Sequence, residues 1–337
     1  MKMKFIKTIQ EYQSKLFDYF LNNLSGFFGT FLTSIIIFLA GLSMKGEWLM
    51  ILVHFMKQFG LDRTPNFTSE KFHDIHIYFI QSYLTSYIIY FGMCGFLQWY
   101  FYIRQKNTPE NWKCQPNKFL SWKDEKFEII LGTINLTIGA TISGLLACYT
   151  MNGGYTTIYY KISDYGIFYF LISIVLYYIW VDLTTYCVHR MLHLPFFYKN
   201  FHKIHHRFKQ PTAFSSTAMH PAEFLLMQTV MMSPILFLPM HWVTYIGVIG
   251  YVFYYGIIDH SGIKMEAIWP WQPNSFFHDD HHKYFHVNFG FNLTIWDKLQ
   301  GTYRVKDRVY NENIFYGKGK SLNEATPEEL DLHFKND

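Results

Sequence analysis

Five imidazoles fall within eighteen residues of this 337-residue chain, in His189-Arg-Met-Leu-His193 and His202-Lys-Ile-His205-His206. A third group, His278-Asp-Asp-His281-His282, follows later, and twelve of the sixteen histidines lie between 189 and 286. A neutral imidazole is a good ligand for iron, zinc or copper. Histidines spaced by three or four residues project from one face of a helix. Three such groups, two of them extended by an adjacent histidine, have the pattern of a multi-metal cage. Structural zinc sites usually take four ligands and often use cysteine. Eight to ten nitrogens suit two metal ions with positions left open for O₂. His220, in His220-Pro-Ala-Glu223, and His260, in Asp259-His-Ser-Gly, are candidate extra ligands, while His286 stands evenly between ligand and core residue. His54, His73, His76, His241 and His333 read as ordinary isolated histidines.

The first group needs a helix to carry it. Over Val181–His193, a helix would place Asp182, Tyr186, His189 and His193 on one face. A carboxylate near the end of an apolar helix is costly and usually has a partner. Asp182 is therefore expected to hold the ring N–H of a ligand histidine, as carboxylates around metal sites commonly do, with Tyr186 beside it. Pairing with a structural lysine is the blander alternative.

Half of the residues are hydrophobic, a fifth are aromatic and 16% are charged, against roughly 25% charged in soluble domains. Apolar runs at Phe27–Leu42, Ile77–Ile103, Ile129–Met151 and Ile167–Val188 are candidate membrane spans. Ala222–Ile258 is long enough to enter and leave again, with Pro234 and Pro239 near its middle. The expectation is an all-α integral membrane protein with four or more transmembrane helices and a cytoplasmic, histidine-rich di-metal cap. All three groups share one side only if 222–258 forms a hairpin or a re-entrant pair.

The net charge of +4 reads as topology, with no basic surface interleaved with aromatics for nucleic acid. Lysines at 2, 4, 7 and 15 and the basic segment from Arg104 to Lys126 would face the cytoplasm. The loop 44–76, with an Asn66-Phe-Thr sequon, would then face the lumen. Residues 1–26 resemble an amphipathic interfacial helix, and Glu47–Phe59 a re-entrant or interfacial one, too short to cross. No cleavable signal peptide is recognisable, so the first span would act as a signal anchor. The four cysteines have no disulfide or zinc-knuckle spacing. Three regions result: membrane-anchoring helices over 1–114, a catalytic region over 115–304, and a polar tail over 305–337.

His-x3-His, His-x2-His-His and His-x2-His-His, in that order at membrane exits, resemble the fatty acid hydroxylase/sterol desaturase superfamily. The likeness extends to Asp182-x3-Tyr186-x2-His189-Arg190, to His220-Pro-Ala-Glu223 and His260-Ser-Gly, and to Asn288-Phe-Gly and Trp296-Asp-Lys-Leu-Gln-Gly-Thr302. It covers roughly 115–304 and is absent from the first hundred residues. The resemblance implies a di-iron, O₂-dependent oxidation of a lipid C–H bond in the endoplasmic reticulum membrane. His189, His193, His202, His205, His206, His278, His281 and His282 would hold two iron ions, with His260 and His220 less certain; zinc could occupy the site in purified protein. No flavin, nicotinamide or haem-binding motif is recognisable, so electrons would come from outside, and the resemblance implies cytochrome b5 and its NADH-linked reductase as their source. Box spacing leans towards the sterol-type branch, and there towards hydroxylation of a sterol or sterol-like lipid. Sterol C5(6) desaturation and fatty-acyl hydroxylation are the alternatives. A metal transporter or a non-catalytic metal-binding membrane protein are readings of another class, disfavoured because transport would place ligands within spans.

Overall fold

The computed structural model describes residues 27–61, 71–266 and 269–336. The expected interfacial helix at 1–26 and the Asn66 sequon lie outside the described residues. The long helices are α1 (Phe27–Met44), α2 (Trp48–Gln58), α3 (Ile75–Leu97), α4 (Trp122–Met151), α5 (Gly166–Leu192), α6 (Pro221–Met232) and α7 (Trp242–His260). Short helices α8 (Phe276–Tyr284), α9 (Ile295–Gln300) and α10 (Pro327–Asn336) follow. Among the described residues, sheet is confined to two-residue pairings, Ile158–Tyr159 with Met240–His241 and Arg308–Val309 with Lys320–Ser321. The chain is an all-α membrane protein.

Among the described residues, α4, α5 and α7 are each long and apolar enough to cross a membrane. A fourth crossing results if Phe31–Ser43 and Trp48–Gln58, bent by 90°, form one broken span. The expected 77–103 span is also a helix, α3, about 35 Å long at 1.5 Å per residue, continued by one π-helical turn over Gln98–Arg104. It is less apolar than the others because Gln81, Ser82, Thr85 and Ser86 interrupt it. Of these, Ser82 serves packing, its Oγ donating to Ala140 O at 2.7 Å, and the neighbouring Tyr83 and Tyr87 meet Thr141 and Thr137 at 2.8 and 2.5 Å. Hydrogen bonds between helices replace the water that a lipid environment lacks.

Two glycines let the N-terminal helices close in. A Cβ on Gly41 would stand 2.7 Å from the backbone of Phe253, so α1 lies directly on α7. Gly46, at φ +79°, turns the chain between α1 and α2, and its own Cβ would meet the Ala140 backbone at 2.9 Å. No side chain fits either position, and a positive φ is open mainly to glycine.

The segment 222–258 forms the expected hairpin. Helix α6 starts at Pro221, breaks at Ser233-Pro234 and returns after Pro239 as α7. Thr157 holds the break, donating from its backbone N and its Oγ1 to Ile235 O at 2.9 and 2.8 Å. The hairpin brings His220 at its entry and His260 at its exit to the same end of the molecule as the His189 end of α5.

From α4, two buried polar side chains reach the linker before α6. Glu128 accepts from Thr212 Oγ1 at 2.6 Å and from Ser215, and Asn135 Nδ2 donates to Thr217 O and Met219 O at 2.7 and 2.8 Å. A buried polar group is tolerated when it is hydrogen-bonded. Here each such bond fixes a loop that carries a site residue.

Candidate metal centre

Four segments converge at that end. His189 and His193 close α5, and His202, His205 and His206 occupy one 3₁₀ turn over His202–Arg207. His260 ends α7, and His278, His281 and His282 share one face of α8. All nine are buried, none more than 4% exposed. They fall into two sets whose nitrogens lie within 4.8 Å of one another: His189, His193, His202, His206 and His281, and His205, His260, His278 and His282. Residues distant in sequence thus supply two adjacent all-imidazole groups that could hold metal.

Which ring nitrogen faces inward follows from what the other one touches. Nδ1 of His189 donates to Phe289 O at 2.8 Å, Nδ1 of His281 to Val287 O at 2.7 Å, and Nδ1 of His205 to Ala218 O at 3.2 Å. His202 Nδ1 lies 2.7 Å from Glu223 Oε1, and His260 Nδ1 donates to Gly256 O at 2.8 Å beside the Asp259 carboxylate. With the proton on Nδ1, each Nε2 carries a lone pair towards the centre. His205 Nε2 and His260 Nε2 then face each other at 3.1 Å with no proton between them. Nε2 of His202 and of His281, and both ring nitrogens of His282, are buried with no hydrogen-bond partner. Opposed and orphaned lone pairs are costly in a dry interior. A cation among them resolves both, so the donor set fits metal ions.

Burial also keeps these rings neutral. It pushes His202 and His205 down to about 3, and His281 and His282 well below the ordinary histidine value. Metal ligation requires that deprotonated form.

Two expectations about the surroundings are corrected. Asp182 touches no imidazole: it accepts from the Asn292 backbone N at 3.0 Å and from Trp296 Nε1 at 2.6 Å. Tyr186 likewise meets Thr302 Oγ1, at 3.2 Å. Both belong to a clasp behind the centre. In it Asp297 accepts from Phe289 N, Gly290 N and Thr302 Oγ1 at 2.8, 2.7 and 2.6 Å, and Phe289 O in turn holds His189. Asp182 therefore acts on a ligand one step removed, because its position on α5 faces the returning 292–296 loop. The carboxylates that do hold imidazoles are Glu223 and Asp259. Each stands in a motif noted in the sequence, but only the hairpin aims it at a ring.

His220 is the second correction. It lies outside both sets and caps α6, its Nδ1 accepting from Ala222 N at 3.1 Å ahead of Pro221. His286 is no member of either set, but it is not an isolated core residue. His193 Nδ1 donates to His286 Nδ1 at 2.9 Å, and His286 Nε2 donates to Glu312 O at 2.9 Å. That chain fixes the tautomer of His193 from the tail. Positive φ at Phe285 (71°) and Asn288 (54°) shapes the loop that presents His286 and the Val287 and Phe289 carbonyls. An asparagine at left-handed φ is readable in sequence only as a turn signal.

A cavity of about 70 Å³ adjoins the imidazoles. His189, His202, His205 and His260 form one end, and Met219, Met227, Val252 and Phe253 line much of the rest.

Residues 174–302 match the Fatty acid hydroxylase family model. That span contains both metal sets, so the part of the chain that resembles the family includes the whole candidate centre. Among curated relatives, mouse "Lathosterol oxidase" is 34% identical over 171 residues, covering 49% of this chain and 55% of that protein. "Delta(7)-sterol 5(6)-desaturase" of Schizosaccharomyces pombe is 33% identical over 157 residues, covering 47% and 52%. That of Saccharomyces cerevisiae is 31% identical over 156 residues, covering 46% and 42%. The chain spans about half the length of the curated relatives it matches. No solved structure matches it.

Proposed function

We propose that this protein is a membrane-bound, di-iron, O₂-dependent oxidoreductase of sterol or sterol-like lipids, acting in sterol biosynthesis. The observation that carries the reading is the double set of converging imidazoles, six of them with the tautomer fixed from outside, beside a largely apolar cavity. The sequence motifs lean towards hydroxylation, with C5(6) desaturation as the alternative. The names of the relatives favour desaturation, and we give it precedence here. In either case one O₂ accepts two electrons from outside. Hydroxylation gives the alcohol and one water; desaturation removes two hydrogens from adjacent carbons and gives two waters.

His189, His193, His202, His206 and His281 would hold one iron, and His205, His260, His278 and His282 the other. Iron bound there supplies O₂ activation and C–H oxidation, chemistry that no side chain performs. The protein's own part is positional. Glu223 and Asp259 keep protons on Nδ1 of His202 and His260, and the Val287, Phe289 and Ala218 carbonyls do so for His281, His189 and His205. Met219, Met227 and Phe253 exclude water from the substrate's side. The catalytic region is taken as 115–304, wider than the matched span, because Glu128 and Asn135 fasten the loop that carries Ala218. Residues 1–114 anchor it and 305–337 form the tail. Electrons are assigned to cytochrome b5 and its NADH-linked reductase, and the site to the cytoplasmic face of the endoplasmic reticulum membrane.

The deciding experiment combines metal analysis of the purified protein with a sterol profile of cells expressing the wild type or His281→Ala. Two irons per chain and a wild-type-only sterol lacking two hydrogens support the proposal as stated. A sterol gaining one oxygen restores hydroxylation. Iron without any lipid change, or full lipid oxidation by a metal-depleted His281→Ala, rejects the enzyme.

A further inference from the structure

The cavity beside the imidazoles has a second polar feature, made of a lysine and of the one Glu223 carboxylate oxygen that does not face His202. Lys45 lines it together with Glu223, although Lys45 comes from the bend between α1 and α2, far outside residues 174–302. Its ammonium stands 4.6 Å from the centre of the Phe224 ring, a cation–π contact that fixes its direction. The bend itself cannot shift, since Gly46 is pressed against the Ala140 backbone. Glu223 is 2% exposed; its Oε1 faces His202, and its Oε2 is buried with no hydrogen-bond partner. Besides the histidines, Thr185 and Ser216, the wall thus offers one cationic donor and one carboxylate acceptor.

That combination discriminates among lipid headgroups. A carboxylate would meet Glu223, and an amine would meet Lys45. A ketone or ester oxygen accepts from Lys45 but leaves Glu223 Oε2 unsatisfied. A hydroxyl accepts and donates at once. We propose that Lys45 and Glu223 together bind the hydroxyl of a lipid alcohol, Lys45 donating to its oxygen and Glu223 Oε2 accepting its hydrogen. This deepens the lipid-oxidising reading and rests on it. The bound hydroxyl sets which carbon lies beside His189 and His260, so Lys45 is a specificity-determining residue supplied by the N-terminal helices.

The test is competition binding to the iron-loaded full chain in detergent, using cholesterol and 3-deoxycholesterol, the same skeleton without the oxygen. Wild type should prefer the alcohol by roughly 10- to 100-fold, the range of hydrogen bonds to charged groups. Lys45→Met should reduce that preference to a factor of about three or less, while iron content stays at the wild-type level. Lys45→Arg, which keeps the cation, should retain most of it and controls for damage to the bend. An unchanged preference in Lys45→Met overturns the proposal, as does a wild type that binds both lipids equally. Loss of the preference in Lys45→Met, in a protein that oxidises no lipid, would uphold the hydroxyl site and reject the enzymatic reading instead.

Discussion

Glu223 and Asp259 show how the centre is governed from one bond outside it. Each carboxylate faces the Nδ1 of a ring whose Nε2 points inward. Removing such a partner typically costs 10- to 100-fold in metal affinity. Asp259→Asn is therefore expected to lose iron to a chelator at about 10- to 100-fold lower concentration than wild type, read by metal analysis after titration. His220→Ala gives the opposite outcome. It keeps its full iron content and loses only a helix cap, about 1 kcal/mol, read as a small fall in melting temperature. A loss of iron in that variant would show that His220 is a ligand.

At the scale of elements, the centre depends on contacts made far from it. The α1–α7 contact exists because Gly41 has no side chain. Gly41→Val would force the helices apart by an overpacking cost of about 1–3 kcal/mol, lowering the melting temperature and disturbing His260 at the end of α7. The loop clasp is the second such contact. Asp182→Asn removes the charge that accepts from Asn292 and Trp296, which loosens the Phe289 carbonyl on His189. Its expected signature is lower iron occupancy with unchanged membrane insertion. If occupancy is unchanged while the protein still folds, the clasp does not act through His189.

Across the whole molecule, the dry cap makes stability depend on pH. An exposed histidine titrates near 6.5, whereas burial pushes His202 and His205 down to about 3. Between those values the unfolded chain binds more protons than the folded one. Stability is thus full above about pH 6.5 and is lost progressively as pH falls towards 3, by roughly 1 kcal/mol per pH unit for each histidine. Metal affinity falls in the same direction, because protons compete for the same nitrogens. Melting of the metal-free protein should drop steadily between about pH 7 and pH 5; a flat profile would contradict neutral buried rings.

The sequence by itself determined the elements and the donor set. Spacings of three and four put each histidine group on one helical face, long apolar runs required a membrane, and Pro234 and Pro239 marked where a hairpin could turn. Eight of the nine histidines in the two sets were legible from local spacing, and His260 from its Asp259-His-Ser-Gly setting. Tertiary structure alone decided which group meets which, since the two metal sets cut across the three sequence boxes. It also assigned the carboxylates. Asp182 shares a helical face with His189, yet the returning 292–296 loop claims it, while Glu223 arrives from the hairpin. Helical periodicity specifies which side chains leave a helix together. Only packing specifies what waits on the other side.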